Sequence, residues 1–233
     1  MYERFAQVYD ALYPASDLAE KAGQLHALIQ EHCPGANSLL DVACGTGQHL
    51  AHLQAHYQVE GVDLSQEMLA VARKRNPDVP LHQGNMVDFD LGQRFDAITC
   101  LGSAIGYTKT VKKLNQAVGN MARHVRPGGI LAIYSWILPE AWRPGHLSAD
   151  FVDEPGLKIA RMNVSEVIDG LSVMDFHFLV GTPEGVEHFV ERHELGLFTH
   201  DEYVAAFRQT GLTLVQAPQW SEDRRLYVGL LAK

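Results

Sequence analysis

Between residues 38 and 48 the chain reads Ser-Leu-Leu-Asp-Val-Ala-Cys-Gly-Thr-Gly-Gln, an apolar run that stops at a carboxylate and opens into a glycine turn. Such a run reads as a buried strand followed by a loop and the start of a helix. Gly45 and Gly47 carry no side chain and tolerate positive φ, so the backbone at Ala43, Gly45 and Gly47 can lie flat against a nucleoside. The dinucleotide fingerprint requires a third glycine, and Leu50 stands in its place. A carboxylate at Asp41, just ahead of the turn, repels phosphate but suits an ammonium group.

These features favour S-adenosylmethionine (SAM), which joins adenosine to an amino acid and carries no phosphate. A second apolar run, Val59 to Leu64, brings Asp63 to its end about one βαβ unit later, where a ribose diol is held, with Leu64 beside it. Ser65 reads as the N-cap of the next helix and places Met68 in its first turn. A third strand over Leu81 to Met86 closes with Gly84, Asn85 and Met86. There the Asn85 amide is a hydrogen-bonding partner for the adenine amino group and Met86 packs on the ring. Phe95 to Leu101 reads as a fourth strand, bringing Leu101 to the same end of the sheet.

With 233 residues and 46% hydrophobic content, the chain suffices for one sizeable α/β domain. The formal net charge of −9 argues against a nucleic-acid partner. No apolar stretch reaches membrane-spanning length, and Met1 to Arg4 lacks an export pattern, so a cytoplasmic location is expected. Cys33, Cys44 and Cys100 have no metal-ligand spacing; neither disulfides nor a structural zinc are expected. His49, His52 and His56 share a helix face, and His177, His188 and His193 fall together later, but neither set has the companion carboxylate geometry of a metal site. No metal is expected.

The alternation of strands and helices predicts a doubly wound sheet. Helical spacing runs over Leu18 to His32 and Lys109 to His124. Pro127-Gly128-Gly129 reads as a turn and Ile130 to Trp136 as a fifth strand. From Leu157 to Leu197 the pattern becomes short alternating stretches, Ile159 to Val167, Ser172 to Val180 and Val186 to Leu195, which read as antiparallel strands. A helix over Thr199 to Thr210 and strands over Leu212 to Gln216 and Leu226 to Leu231 complete the sheet. The whole is expected to be a single domain, 1–233, with an amino-terminal lid at 1–16 and an antiparallel β insert at 140–198 bordering the acceptor.

The stretches LLDVACGTG, LSQEMLAVARKRNPD and LHQGNM, the Ile105-Gly106-Tyr107 turn and the LFTHDEYVAAF segment resemble the class I SAM-dependent methyltransferases. Within these they resemble the bacterial N,N-dimethyltransferases that act on dTDP-3-amino-deoxysugars in antibiotic biosynthesis. The resemblance covers nearly the whole chain. It implies an α/β, doubly wound Rossmann-like class I methyltransferase sheet, SAM as methyl donor and a small-molecule amine as acceptor. By the same resemblance Tyr2 and Tyr9 belong to a segment that covers SAM, Tyr107 occupies an aromatic or imidazole position, Arg224 reaches the substrate side and His193 lies near the acceptor.

Methyl transfer to a neutral amine needs in-line orientation and a deprotonated nitrogen more than a dedicated base. Tyr2, Tyr107 and His193 are the catalytic candidates; Trp136 and Arg224 are the substrate-binding ones, the arginine suited to phosphate or carboxylate. For the aromatics the competing role is packing, and for Arg224 a solvated surface charge. The chain departs from the family at Tyr13-Pro14-Ala15-Ser16-Asp17 and at Tyr134-Ser135-Trp136-Ile137, which leaves a different aminosugar or a peptide amino terminus open as acceptor. O- or C-methylation of a small metabolite, SAM binding without catalysis, and nicotinamide-dependent reduction are the rival readings; Leu50 and Asp41 oppose the last. The strand edges and apolar faces of the insert suit a two-fold homodimer.

Overall fold

The computed structural model describes residues 5–13, 16–215 and 221–233. Helices α1 (Phe5–Leu12) and α2 (Ser16–His32) precede β1 (Ser38–Val42), α3 (Gln48–Leu53), β2 (Gln58–Asp63), α4 (Gln66–Arg75) and β3 (Leu81–Gln83). Next come β4 (Phe95–Cys100), a 3₁₀ turn at Ala104–Thr108, α5 (Val111–Arg123) and β5 (Val125–Tyr134). Four long strands follow, β6 (Leu147–Glu154), β7 (Leu157–Ile168), β8 (Leu171–Thr182) and β9 (Gly185–Gly196). The described chain then ends with α6 (His200–Arg208), β10 (Thr213–Val215) and β11 (Leu226–Leu230).

The first sheet has the order β10-β11-β5-β4-β1-β2-β3. Strands β1 to β5 pair in parallel, and β11 lies antiparallel between β5 and β10. Strand order reverses between β1 and β4, the switch point at which ligands of such sheets bind, beyond the carboxyl ends. Alternation along β1 sorts the core onto two faces. Leu40 and Val42 pack with α5 and α6, through residues such as Leu114 and Phe207, while Leu39 packs with α2 and α3 through Leu25, Ile29 and Leu50.

Local signals set the helix starts. Ser65 Oγ accepts from Met68 N at 3.2 Å, as the N-cap reading requires. Thr199 and Glu202 form a reciprocal capping box that starts α6.

The fifth strand differs from its expected course. It begins at Val125, and Pro127-Gly128-Gly129 is a bulge inside it: Phe95 pairs with Val125 but Ala97 with Ile130, so the β5 side carries three extra residues. Gly128 takes φ 79° and donates to Leu231 O at 2.9 Å, while Leu231 N donates to Gly129 O at 3.0 Å. Pairing with the chain end thus overrides the local turn signal. The third strand also ends earlier than expected, at Gln83, and α5 starts at Val111 behind the Thr110 cap.

The second sheet is antiparallel, β6-β7-β8-β9, with β6 as a strand the alternation had not revealed. Asp169 and Gly170, at φ 51° and 78°, make the tight turn between β7 and β8. Along β7 the odd positions Ile159, Arg161, Asn163 and Ser165 are buried, and the even ones Met162 and Val164 are exposed. The inner face thereby turns toward α1 and α4: Val8 of α1, Met68 of α4, and Ile159 and Phe178 of the second sheet share one apolar cluster. No helix among the described residues is long and apolar enough to cross a membrane.

Candidate active site

The carboxyl ends of β1, β2 and β4 converge on the glycine turn. Gly45 N donates to Asp63 Oδ2 at 2.7 Å and Ser65 N to Asp63 Oδ1 at 2.8 Å, so one carboxylate holds the turn and the start of α4 in register. Burial raises the Asp63 pKa against the pull of these backbone donors. From below, Asn76 Nδ2 donates to Gly47 O at 3.0 Å and Arg75 Nη1 to Thr46 O at 2.6 Å. Ala43, at φ 60°, shares the left-handed region with Gly45 and Gly47, an arrangement that costs an alanine energy and marks a constrained turn.

Asp41 is buried at the switch point, facing its β4 partner Thr99, whose Oγ1 donates to it at 2.7 Å. Burial pushes its pKa up to about 7; the Thr99 hydrogen bond opposes this and the nearby Asp63 charge adds to it. Among the described residues no cation pairs with Asp41. A buried carboxylate of this kind is stabilised by an incoming cation.

Leu64, just past the carboxyl end of β2, is 64% exposed. Gly84 N donates to Asp63 O at 3.0 Å, bringing the end of β3 beside β2. Asn85 is exposed, and its Oδ1 accepts from Val87 N at 3.2 Å. Met86 packs against the core cluster that contains Val62 and Phe89. Leu101 is buried beneath the turn in the same cluster as Cys44. Met68 is buried under α1 beside Val8.

The 3₁₀ turn after β4 brings Tyr107 against the second sheet. Its hydroxyl lies 2.5 Å from His193 Nδ1. His193 is buried on β9, edge-on to Phe176 at 5.0 Å, and its pKa is lowered to about 4, first by desolvation and then by the Arg161 charge. The imidazole is therefore neutral at physiological pH. Trp136, just past β5, donates through Nε1 to Ser172 Oγ at 2.8 Å, and the Arg224 guanidinium stands 4.8 Å from its ring centroid. Tyr9 sits between the two regions: burial raises its hydroxyl pKa, as do Tyr13, Tyr107, Asp10 and Asp63, so it lies within electrostatic reach of both Asp63 and Tyr107. Tyr2 lies outside the described residues.

Sequence reasoning missed Arg161, which is buried on β7 with Nε 3.0 Å from Asp150 Oδ2 and Nη1 2.8 Å from the Tyr13 hydroxyl. It also missed Asp10, Thr46, Gln48 and Arg75, which form one cluster against the turn. Of the histidines singled out by spacing, His56 lies beyond the end of α3 and stacks on His26 at 3.9 Å. Among the described residues no group of three or more metal-ligating side chains is close enough to hold an ion.

The methyltransferase domain family matches residues 39–129. An N,N-dimethyltransferase of Streptomyces fradiae, named for dTDP-3-amino-3,6-dideoxy-α-D-glucopyranose, is 41% identical over 229 residues, covering 97% of this chain and 90% of its own. The chain belongs to the SAM-dependent aminosugar N,N-dimethyltransferase family. The crystal structure of DesVI from Streptomyces venezuelae matches this aminosugar methyltransferase fold with a TM-score of 0.92, at 41% identity and 98% of each chain. SAM-bound CalS10 from Micromonospora echinaspora, an amino pentose methyltransferase of calicheamicin biosynthesis, matches it with a TM-score of 0.87, at 38% identity over 96% of each chain. The methyl donor of this methyltransferase is SAM, and the geometry fits it. A Cβ built on Gly45 would meet nothing within 4 Å, so the face of the turn is open, while Leu64 offers bare apolar surface and Asp41 a buried carboxylate.

Proposed function

We propose that this methyltransferase places two methyl groups on the amine nitrogen of a dTDP-linked aminodeoxysugar. The observation that carries the reading is the 41% identity to the Streptomyces fradiae N,N-dimethyltransferase across 97% of the chain. In this reading Asp41, Ala43, Gly45 and Gly47 hold the methionine part of SAM, with the Asp41 carboxylate on its ammonium. Asp63 and Leu64 frame the ribose, and Gly84, Asn85 and Met86 frame the adenine. Leu101 and Met68 support the site from beneath, and Tyr9 covers it. SAM supplies an activated methyl group on a sulfonium.

The chain's own residues orient the amine and exclude water. Each transfer forms one C–N bond and breaks one C–S bond, whose electron pair stays on sulfur, and the amine must shed a proton before each attack. Tyr107, hydrogen-bonded to neutral His193, is placed to accept a hydrogen bond from the amine, whose proton leaves to solvent. Orientation supplies most of the acceleration, which does not require an obligatory base. Trp136 and Arg224 face the nucleotide end, where a guanidinium matches the diphosphate.

Mass spectrometry of reactions with SAM and separate acceptors tests this reading. The acceptors are a dTDP-3-amino-deoxyhexose, its hydroxyl counterpart and a peptide with a free amino terminus. Two methyl increments on the aminosugar alone are expected. In the same assay Tyr107→Phe should lower kcat by about tenfold, below the roughly hundredfold or more typical of a dedicated general base. Complete loss of turnover would favour a base-dependent O- or C-methyltransferase.

The reading includes a homodimer through the outer face of the second sheet. That face exposes Leu147, Phe151, Leu179 and Val186 at 66, 71, 51 and 72% of their surface, and Leu147 and Leu179 border a recess of about 590 Å³. Apolar exposure on this scale marks an interaction surface. Analytical ultracentrifugation should find a dimer, and Phe151→Glu should shift it to monomer; a monomeric parent protein would remove this part of the reading.

A further inference from the structure

The short helix α1 and the residue that follows it are tied to the glycine turn, to α4 and to the second sheet by polar contacts that the roles above do not use. On its cofactor side, Asp10 accepts from Thr46 Oγ1 at 2.7 Å, from Gln48 Nε2 at 2.5 Å and from Arg75 Nη2 at 2.5 Å. Arg75 also donates to Thr46 O at 2.6 Å, so one guanidinium spans the glycine turn and the α1 carboxylate. Burial pushes the Asp10 carboxyl up, but the hydrogen bonds from Arg75, Gln48 and Thr46 outweigh it and hold the pKa below the ordinary value.

On its far side α1 is followed by Tyr13, whose hydroxyl accepts from Arg161 Nη1 at 2.8 Å. Arg161 is fixed by Asp150 and lies over the Phe176 ring at 4.7 Å, beside the neutral His193. Between the two clamps Val8 is buried with Met68, Ile159 and Phe178.

We propose that Asp10 is a positioning residue, a latch that holds α1 shut over the bound cofactor and so ties cofactor occupancy to the acceptor side. Two of its three partners, Thr46 and Gln48, belong to the turn that receives the cofactor or to the helix start that follows it. A ligand that fixes the turn therefore fixes the donors that Asp10 needs. Closure and binding then stabilise each other by the same factor in either direction. Because α1 carries Tyr9 and leads into Tyr13, the latched helix also sets the tyrosines that face Tyr107 and Arg161. The order of events that follows is cofactor first and acceptor second.

The latch rests on SAM at the glycine turn and not on the identity of the acceptor, so the test uses S-adenosylhomocysteine alone. Its dissociation and association are measured by stopped flow for the parent protein, Asp10→Asn, Arg75→Gln and the double variant. Asp10→Asn is expected to speed dissociation by about tenfold or more and to leave association within about threefold, because the loss is of charge-assisted contacts formed after encounter. The double variant should dissociate no faster than the faster single variant, since both remove one clamp.

Unfolding of the ligand-free proteins is the control for a merely structural role. An unchanged dissociation rate in Asp10→Asn, or a change matched by an equal loss of ligand-free stability, would overturn the latch. Hydrogen exchange on the parent protein gives a readout that needs no variant: the α1 amides should gain protection when S-adenosylhomocysteine binds. Equal protection with and without the ligand would also overturn the proposal.

Discussion

Asp41→Asn is expected to weaken SAM binding by about thirtyfold or more while making the ligand-free protein more stable at pH 8. The two effects have one origin. Asp41 is buried, its pKa is raised to about 7, and its hydrogen-bond partner is the neutral Thr99 hydroxyl. Asn keeps the Thr99 bond but cannot pair with an ammonium, and a charge-assisted bond of this kind is worth about 1.5–3 kcal/mol.

The pH dependence has a fixed sign. The folded, ligand-free protein holds the Asp41 proton up to about pH 7, whereas an unfolded carboxyl loses it near its ordinary value of 3.8. Between those values the native state binds more protons, so this group's contribution to stability falls as pH rises and levels off above pH 7. Ligand-free unfolding followed from pH 4 to 8 should show that decline for the parent protein and lose it in Asp41→Asn. SAM affinity should run the other way, rising as Asp41 ionises, and then fall as the ligand's α-amino group passes its ordinary pKa of about 7.7–8.0. Calorimetric titration at several pH values checks this; an affinity in Asp41→Asn equal to that of the parent would exclude the ammonium pairing.

Gly47→Ala is expected to lower stability by about 2–4 kcal/mol and to abolish measurable SAM binding, for two additive reasons. Gly47 holds φ 74°, where an L side chain is strained, and an added Cβ would come within 2.5 Å of Asn76 Nδ2 and 3.2 Å of Ala72 Cβ. The first of these neighbours is the amide that anchors the turn through Gly47 O. Relief of the clash therefore costs either the anchor or the turn. Gly45→Ala is the comparison: its φ of 57° is strained too, but its Cβ would meet open space, so the stability loss should be smaller. Chemical denaturation of the two variants should separate them in that order, and equal losses would show that backbone conformation alone sets the cost.

Much of the cofactor half was legible in the sequence because its signals are local. The run from Leu39 to Gly47 carries strand, carboxylate and turn within one segment, and Ser65 caps α4 as its position announces. The Thr199 helix likewise starts at its own capping box. Strand β6 was hidden because Leu147 to Glu154 includes three acidic residues and forms the edge of its sheet, so its pattern lacks clean alternation. The β5 bulge was misread as a turn because its pairing with Leu231 joins positions a hundred residues apart.

Asp10 and Arg75 are separated by 65 positions and Arg161 and Tyr13 by 148, so neither clamp leaves a spacing to read. A charged residue on an alternating strand ordinarily reads as solvent-facing, and Arg161 at 8% exposure breaks that rule only because Asp150 and Tyr13 meet it.

The antiparallel placement of β11 beside β5 pairs Leu226 with Tyr134, which carries Arg224 to the same sheet end as Trp136. Ser135 and Arg225 fasten the two segments there through a 2.9 Å backbone hydrogen bond. The residues proposed for the cofactor all precede position 102, and those proposed for the nucleotide end of the acceptor all follow Tyr134. A genetic crossover just after Tyr134 would therefore keep the residues proposed for the cofactor and exchange those proposed for the nucleotide end, together with α6, β10 and β11. Such a chimaera must match the pairing of β11 with β5, the packing of α6 against α5 and β1, and the cluster of Val8, Met68, Ile159 and Phe178, besides the polar contacts of Tyr107 with His193, Lys109 with Glu194 and Tyr13 with Arg161. An exchanged acceptor half therefore has to carry its own matching α6, β10 and β11 as well as its pocket.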